Sequence, residues 1–360
     1  MKFIHIADVH LGAEPEAGAA LRGRRGREIW DTFEHVIDVC EEQNTDLLLI
    51  AGDLFHRQPL LKELKEADSM FATLNHTKVV LIAGNHDYIR SDSYYRTFRW
   101  SQNVFPLLEE TPEYIEFPEL ETAVYGLSYH HREITEPLYD DLEPLGKQPF
   151  EILLGHGGDE RHIPIDRRKL ERSGFAYVAM GHIHKPQALV KNRIIYAGAL
   201  EPVDKNDTGL HGYVQGEITE KGVRTRWIPC ARRSYIHLEL TVDETDTQRS
   251  VRNRIGQEIN NYGNDNIYKI ELNGCRDADI SFDTDYLLQQ AAESGNVLEV
   301  LDGSVPAYDF ERLYRENRDN LLGKYIDRFR GCNEESEEYQ ALCEGVEVLL
   351  ACRREGGGAW

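Results

Sequence analysis

A repeated pairing constrains this sequence more than any other feature: a short apolar run, then aspartate, histidine or asparagine. Residues 2–7 run into Asp8 and His10, residues 47–51 into Gly52, Asp53 and His56, and residues 79–83 into Gly84, Asn85, His86 and Asp87. Residues 152–155 lead into His156, and residues 175–180 into Gly181, His182 and His184. Apolar runs this short, bounded by turn residues, suit strands buried on both faces. A buried sheet has no place for imidazoles and carboxylates, so they collect beyond the strand ends. In layered α/β folds, ligands gather outside the carboxyl ends of the strands. One cleft is expected to receive all of these groups.

Between the runs, residues 31–43 (Phe33, Val36, Ile37, Cys40) and 60–74 (Leu61, Leu64, Met70, Phe71, Leu74) show helical spacing. Further strands are expected at 123–127, 187–190, 193–196, 212–218 and 223–228. The reading is an α/β catalytic domain over residues 1–230, with two mixed β-sheets packed as a sandwich and flanked by helices. Composition shifts near residues 229–234. Residues 235–305 then alternate strands (235–242, 267–272, 297–301) with helices (247–261, 283–294), which predicts a small α+β domain. Residues 306–355 turn helical and highly charged, with helices expected up to Phe329 and over 335–353. An apolar stripe of Phe310, Leu313, Leu321, Leu322, Tyr325, Ile326 and Phe329 suits a partner. Residues 356–360 read as a frayed tail.

Lys and Arg number 41 against 63 Asp and Glu, so 41 − 63 gives a net charge of −22. A surface this acidic opposes broad, tight duplex binding by the chain alone, because phosphate contacts need Lys and Arg. It does not oppose a metal site, where the ions themselves attract phosphate. The six cysteines form no CxxC pair, which fits free thiols in a reducing compartment. No apolar run is long enough to span a bilayer. The opening run is broken by His5 and Asp8, unlike a signal peptide. A cytoplasmic protein with no membrane attachment is expected.

The ligand mix is nitrogen and oxygen without thiolate, which suits Mn²⁺, Fe²⁺ or Zn²⁺. Asp8 and His10 lie two apart at an extended chain end, so their side chains can point the same way, and His182 and His184 repeat that spacing. One aspartate can bridge two ions, and two ions about 3.5–4 Å apart clamp the attacking and leaving oxygens of a phosphoryl transfer. Taken singly, each piece has a plainer reading as a strand-end turn or an Asx-rich turn. Together, each behind its own apolar run, they point to a two-metal phosphoesterase.

Asp8-x-His10, Gly52-Asp53, Gly84-Asn85-His86-Asp87, His156 and Gly181-His182-x-His184 resemble the calcineurin-like metallophosphoesterase superfamily. Within it, the chain is similar to the nucleases of DNA double-strand-break repair, of the bacterial SbcD type. It is most similar to a shorter, YhaO-type branch, through residues 3–12 and 51–56. The superfamily resemblance covers residues 1 to about 228. It implies one metal held by Asp8, His10, Asp53 and His184, and a second held by Asp53, Asn85, His156 and His182, with Mn²⁺ as the usual pair. It further implies that His86 contacts the scissile phosphate, that His56 pairs with it, and that Asp87 orients His86 or closes the turn. Many relatives that are not nucleases lack a counterpart of His56; the plain alternative is a surface histidine.

The same resemblance implies DNA as substrate and a homodimer built from helices, with 60–74 and 94–100 as candidates. It also implies a capping domain at 235–301 and a coiled-coil ATPase partner of the SMC-like, SbcC type. Four arginines in six positions, Arg22, Arg24, Arg25 and Arg27, stand out in so acidic a chain. They read either as a phosphate-binding loop at the cleft mouth or as a solvated basic loop. His211 is a candidate on the substrate side. The family pattern has proline and serine around Gly198, where this chain has Ala197 and Ala199, and this weakens a substrate role for that loop. The reading is a divalent-metal-dependent DNA nuclease. The rivals are a small-substrate phosphodiesterase or nucleotide pyrophosphatase, a protein phosphatase, and a scaffold that keeps only the fold.

Overall fold

The computed structural model describes residues 1–333 and 336–356. The tail expected beyond residue 356 and the helix start expected at 335 lie outside the described residues. The chain divides into two compact units, Met1–Ile236 and His237–Trp360.

In the first unit, β1 (Lys2–Ile6), α1 (Arg25–Glu42), β2 (Leu47–Ala51), α2 (Leu61–Phe71) and β3 (Lys78–Ile82) alternate. β4 (Val104–Pro106), β5 (Glu113–Phe117), β6 (Thr122–Gly126) and β7 (Phe150–His156) follow. Then come α3 (Arg167–Arg172), β8 (Tyr177–Gly181), β9 (Gln187–Val190), β10 (Ile194–Tyr196), β11 (Gly212–Thr219) and β12 (Gly222–Pro229). One sheet has the order β12-β11-β1-β2-β3-β4, the other β5-β6-β7-β8-β10-β9. The strands that lead to the polar clusters pair in parallel, β1 with β2, β2 with β3, and β7 with β8. Their carboxyl ends therefore open on the same side of each sheet. Both sheets are mixed, as expected.

Pleating divides each central strand between two cores. Leu47, Leu49 and Ala51 of β2 join Val80, Ile82, Ile152, Leu154 and Ala179 in a core that draws on both sheets. Leu48 and Ile50 join Phe33, Val36 and Ile37 of α1 and Leu64 and Phe71 of α2. A third cluster packs Leu153, Val178 and Met180 with Tyr129, Tyr139, Leu170 and Phe175. Each large aliphatic side chain so buried contributes roughly 1.5–3 kcal/mol.

Two local expectations are corrected, and three short elements are added. α1 begins at Arg25, so the basic segment expected as a loop is partly helix. Residues 94–100 form no helix, only the 3-10 turn Tyr94–Arg96. There Tyr95 is buried, its ring packs on Phe55 and Trp100, and its hydroxyl donates to Asp87, so side-chain anchoring replaces helical repetition. β4, β5 and α3 carry little periodic signal. β5 is a half-exposed edge strand, and α3 is one short turn whose start is capped by Asp166.

β13 (Tyr235–Val242) crosses the division between the units. The second unit continues with α4 (Gln248–Tyr262), β14 (Ile267–Arg276), α5 (Thr284–Ala291), β15 (Asn296–Asp302) and β16 (Val305–Pro306). α6 (Phe310–Glu316), α7 (Leu321–Arg328) and α8 (Glu337–Gly356) complete it. The sheet order is β13-β14-β15, with β16 on β14. The terminal helices share a cluster built on Leu322, Ile326, Leu342 and Val346. The α+β part and the helices thus belong to one compact unit, where the sequence suggested two segments. Among the described residues no helix is long and apolar enough to cross a membrane. None of the six cysteines is in a disulfide.

His5 on β1 is fully buried, its Nδ1 3.0 Å from the Tyr177 hydroxyl, and burial lowers its pKa from 6.5 to about 3. The unfolded chain takes up a proton near pH 6.5 while the folded chain refuses it. His5's contribution is therefore complete above pH 6.5 and drains as the pH falls towards 3, at about 1.4 kcal/mol per pH unit. Denaturant melts at pH 7 and pH 5 are expected to show about 2 kcal/mol less loss in His5→Gln than in the wild type. Equal losses would clear His5 of this role.

Candidate metal centre

Backbone hydrogen bonds zip the loops beyond β1 and β2 together. Asp8 N donates to Gly52 O at 3.2 Å, His10 N to Asp53 O at 3.0 Å and Leu11 N to Leu54 O at 2.9 Å. His56 N returns a bond to Leu11 O at 3.1 Å. The loop beyond β3 is tied in by Asp87, which accepts from Gly84 N at 2.8 Å, Phe55 N at 3.2 Å and Tyr95 Oη at 2.8 Å. Asp87 is fully buried and spent on these donors, so it closes the turn and does not reach into the cleft.

The chain holds this site in an unusual backbone shape. Asp8, His10, Asp53 and His182 have φ of 49°, 54°, 50° and 91°, the left-handed region that side chains ordinarily avoid. Each such residue costs of order 1–3 kcal/mol, and such strain persists where function requires it. Space is equally tight. A Cβ on Gly84 would strike Asp53 Oδ1 and His156 Nε2, and one on Gly52, at φ 83°, would strike the His156 ring.

The side chains converge. Asp53 Oδ2 lies 3.4 Å from His156 Nε2 and 4.0 Å from His10 Nε2, while Asp53 Oδ1 accepts from His86 N at 2.8 Å. Asn85 Oδ1 lies 2.9 Å from His156 Nε2 and 3.1 Å from His182 Nδ1. His10 Nε2 and His184 Nε2 are 3.0 Å apart. Asp8 accepts from His182 N at 2.9 Å and groups with His10 and His184 on one side and with Asp53 and His156 on the other. All the residues expected as metal ligands are therefore in one cleft, with Asp8 common to both groups and Asp53 near His156 and His10.

The donor set fits divalent cations. Asp8 and Asp53 are buried, yet among the described residues neither forms an ion pair with Lys or Arg. Buried carboxylates without a counter-charge are costly. Burial raises Asp8 to about 6. It acts the same way on Asp53, but His156, His10 and His86 together outweigh it and hold that carboxyl well below its ordinary range. Burial lowers His156 and His184, yet Asp53 beside the first and Asp207 beside the second lift both to about 9. Filling one site at 100 times its Kd adds about 2.7 kcal/mol to folding, and about 2–4 °C per kcal/mol holds for a unit of this size. Mn²⁺ is therefore expected to raise the melting temperature of stripped protein by about 5–10 °C per site, reversibly with chelator; an unchanged melting curve would count against the site.

His56 and His86 stand beside this cage. Their rings stack with centroids 5.2 Å apart, and His56 Nδ1 is 3.4 Å from His10 Nδ1. His86 donates from Nδ1 to the His56 carbonyl at 3.1 Å, which leaves Nε2 for substrate-side work. Burial, then His86, lower the His56 pKa.

The basic segment divides. Arg22, Arg24 and Arg27 are exposed, but Arg25 is buried, bonded to Glu28 at 2.5 Å, to Glu201 at 3.1 Å and to the Pro202 carbonyl at 3.2 Å. Arg25 is a structural cation and is withdrawn as a substrate contact. His211 is also buried, and its Nε2 donates to the Asp207 carbonyl at 3.0 Å, so it too is withdrawn from the substrate face. Asp159, His162 and Asp207 were not anticipated. Asp159 lies three residues beyond His156, a visible signal, whereas Asp207 is 23 residues from the histidine it meets.

The sequence profile of the calcineurin-like phosphoesterases matches residues 1–186. The metallophosphoesterase YhaO of Bacillus subtilis is 29% identical over 238 residues, 61% of this chain and 58% of its own. The DNA double-strand break repair protein Mre11 of Methanocaldococcus jannaschii is 29% identical over 218 residues, 58% of either chain. A dimetal phosphatase from Danio rerio aligns with 64% of this chain at 14% identity, with a TM-score of 0.39. The chain spans a little over half the length of the curated relatives it matches. With the profile covering half of its length and the clustered aspartates and histidines inside that half, the chain belongs to the calcineurin-like phosphoesterase family.

Proposed function

We propose that this chain is a metal-dependent DNA nuclease that hydrolyses phosphodiester bonds, with Mn²⁺ as its working metal. The observation that carries the reading is the His56–His86 pair beside the cage, an acid–base couple next to clustered ligands. The relatives named for double-strand-break repair support it. Asp8, His10, Asp53 and His184 would hold one cation, and Asp53, Asn85, His156 and His182 the other. When bound, the pair supplies Lewis-acid charge and an activated water. The chain's own part is to align the phosphate and to move a proton. His86 donates from Nδ1 to the His56 carbonyl, and in its imidazolium form the second proton, on Nε2, would be donated to the phosphate and passed to the leaving oxygen, leaving the neutral ring. Exposed Arg22 and Arg24 would grip the nucleic-acid backbone. By the same reading the chain is a homodimer and works with an SMC-like coiled-coil ATPase of the SbcC type.

Labelled duplex and single-stranded DNA, incubated with the purified protein with and without Mn²⁺, test this reading. DNA cleavage that needs the metal is expected. Cleavage of bis(p-nitrophenyl) phosphate alone would replace the nuclease with a small-substrate phosphodiesterase. His86→Ala is expected to lower kcat about 10²–10⁴-fold, the usual worth of a positioned acid–base group. Calorimetry should show its Mn²⁺ binding unchanged; wild-type turnover in this variant would remove His86 from the chemistry.

A further inference from the structure

Each histidine ligand has two ring nitrogens, and the one that donates a hydrogen bond leaves its lone pair on the other. His156 donates from Nδ1 to the Ala51 carbonyl at 2.8 Å. The two histidines beyond β8 behave differently, because each donates to a carboxylate. His182 uses Nε2, 2.7 Å from Asp159 Oδ2, and His184 uses Nδ1, 2.9 Å from Asp207 Oδ2. Opposite nitrogens are therefore left facing the cleft. His182 offers Nδ1, which is 3.1 Å from Asn85 Oδ1, and His184 offers Nε2, which is 3.0 Å from His10 Nε2.

We propose that Asp159 and Asp207 are the positioning residues of the metal centre, each fixing the tautomer and rotation of one β8 histidine and strengthening it as a ligand. The inference rests on the two-metal reading above. A carboxylate behind a ligating imidazole holds its lone pair on the metal and raises its basicity. Each is proposed to act through its histidine.

The two props differ in stiffness. Asp207 is mostly buried, and its Oδ2 also accepts from Val203 N and Asp204 N, both at 3.1 Å. His211 bonds the carbonyl of the same residue at 3.0 Å, which gives this buried histidine a role in holding the loop. Asp159 is 45% exposed and shared, because His162 Nδ1 lies 2.9 Å from both of its oxygens. The cation on His184 therefore sits in the firmer frame, and the cation on His182 in the softer one.

Calorimetric titration of Mn²⁺ into metal-stripped full-length protein tests this. Two binding events are expected for the wild type. Asp207→Ala should weaken one of them about 100-fold and Asp159→Ala the other about 10-fold, the span found for such outer partners. Asp207→Asn keeps an acceptor oxygen but loses the charge, and should fall between wild type and Asp207→Ala. The melting temperature of metal-free Asp159→Ala should match that of metal-free wild type, since this carboxylate is exposed. Unchanged affinity at both sites in Asp207→Ala and Asp159→Ala would overturn the proposal while leaving the metal centre intact. A lowered metal-free melting temperature with unchanged affinity would make these residues structural only. If the wild type takes up no Mn²⁺, the metal reading itself fails, and this proposal with it.

Discussion

Asp53→Ala is expected to abolish metal-dependent hydrolysis, with a fall in kcat of at least about 10³-fold, because several kcal/mol of charge stabilisation leave with the cations. Asp53, the proposed bridging carboxylate, lies 3.4 Å from His156 Nε2 and 4.0 Å from His10 Nε2. Its other oxygen fixes the backbone of His86, so the same change also loosens the proposed acid–base residue. Calorimetry should find Mn²⁺ binding lost or greatly weakened. Stability should fall as well. Asp53 is held ionised by His156 and in turn keeps that buried imidazole charged, so metal-free Asp53→Ala should melt below metal-free wild type at pH 7. A variant that keeps wild-type Mn²⁺-dependent turnover would end the two-metal reading.

Arg25→Ala should lower stability by about 3–5 kcal/mol, the cost of removing one partner of a buried ion pair. The guanidinium is 1% exposed and neutralises Glu28 and the fully buried Glu201. Arg233 also pairs with Glu28 at 2.8 Å and remains, but among the described residues Glu201 keeps Thr32 Oγ1 and Arg232 N, two neutral donors. Thermal melts should show a drop of about 6–20 °C at 2–4 °C per kcal/mol. The salt dependence of DNA binding should stay that of the wild type, since a residue sealed in a network neutralises no phosphate. A shallower salt slope with an unchanged melting temperature would return Arg25 to the substrate face. Exposed Arg24 offers the comparison, because its removal should leave the melting temperature unchanged.

Much of the first unit was legible because its strands announce themselves twice. The run at 47–51 is apolar throughout because both of its faces are covered, and it stops where Gly52 and Asp53 must turn into the cleft. Elements with one weak face were not legible. β5 exposes Tyr114 and Glu116, and at 94–100, a helix candidate only by resemblance, anchoring of Tyr95 by Asp87 holds a shorter turn. Spacing also misled at Arg22–Arg27, where four similar residues share one stretch of chain yet one of them is buried.

The sequence by itself determined the chemistry on offer: which carboxylates, amides and imidazoles end each strand, and that parallel strands would carry them to one side. That information is local, written within a few residues of each apolar run. The tertiary structure alone decided which nitrogen each histidine presents, which arginine is structural, and that Asp207 stands behind His184. Those outcomes depend on contacts between segments far apart in the chain, such as Arg25 with Glu201, 176 residues away. Burial and distance set the strength of such contacts, and neither quantity exists until the chain has folded.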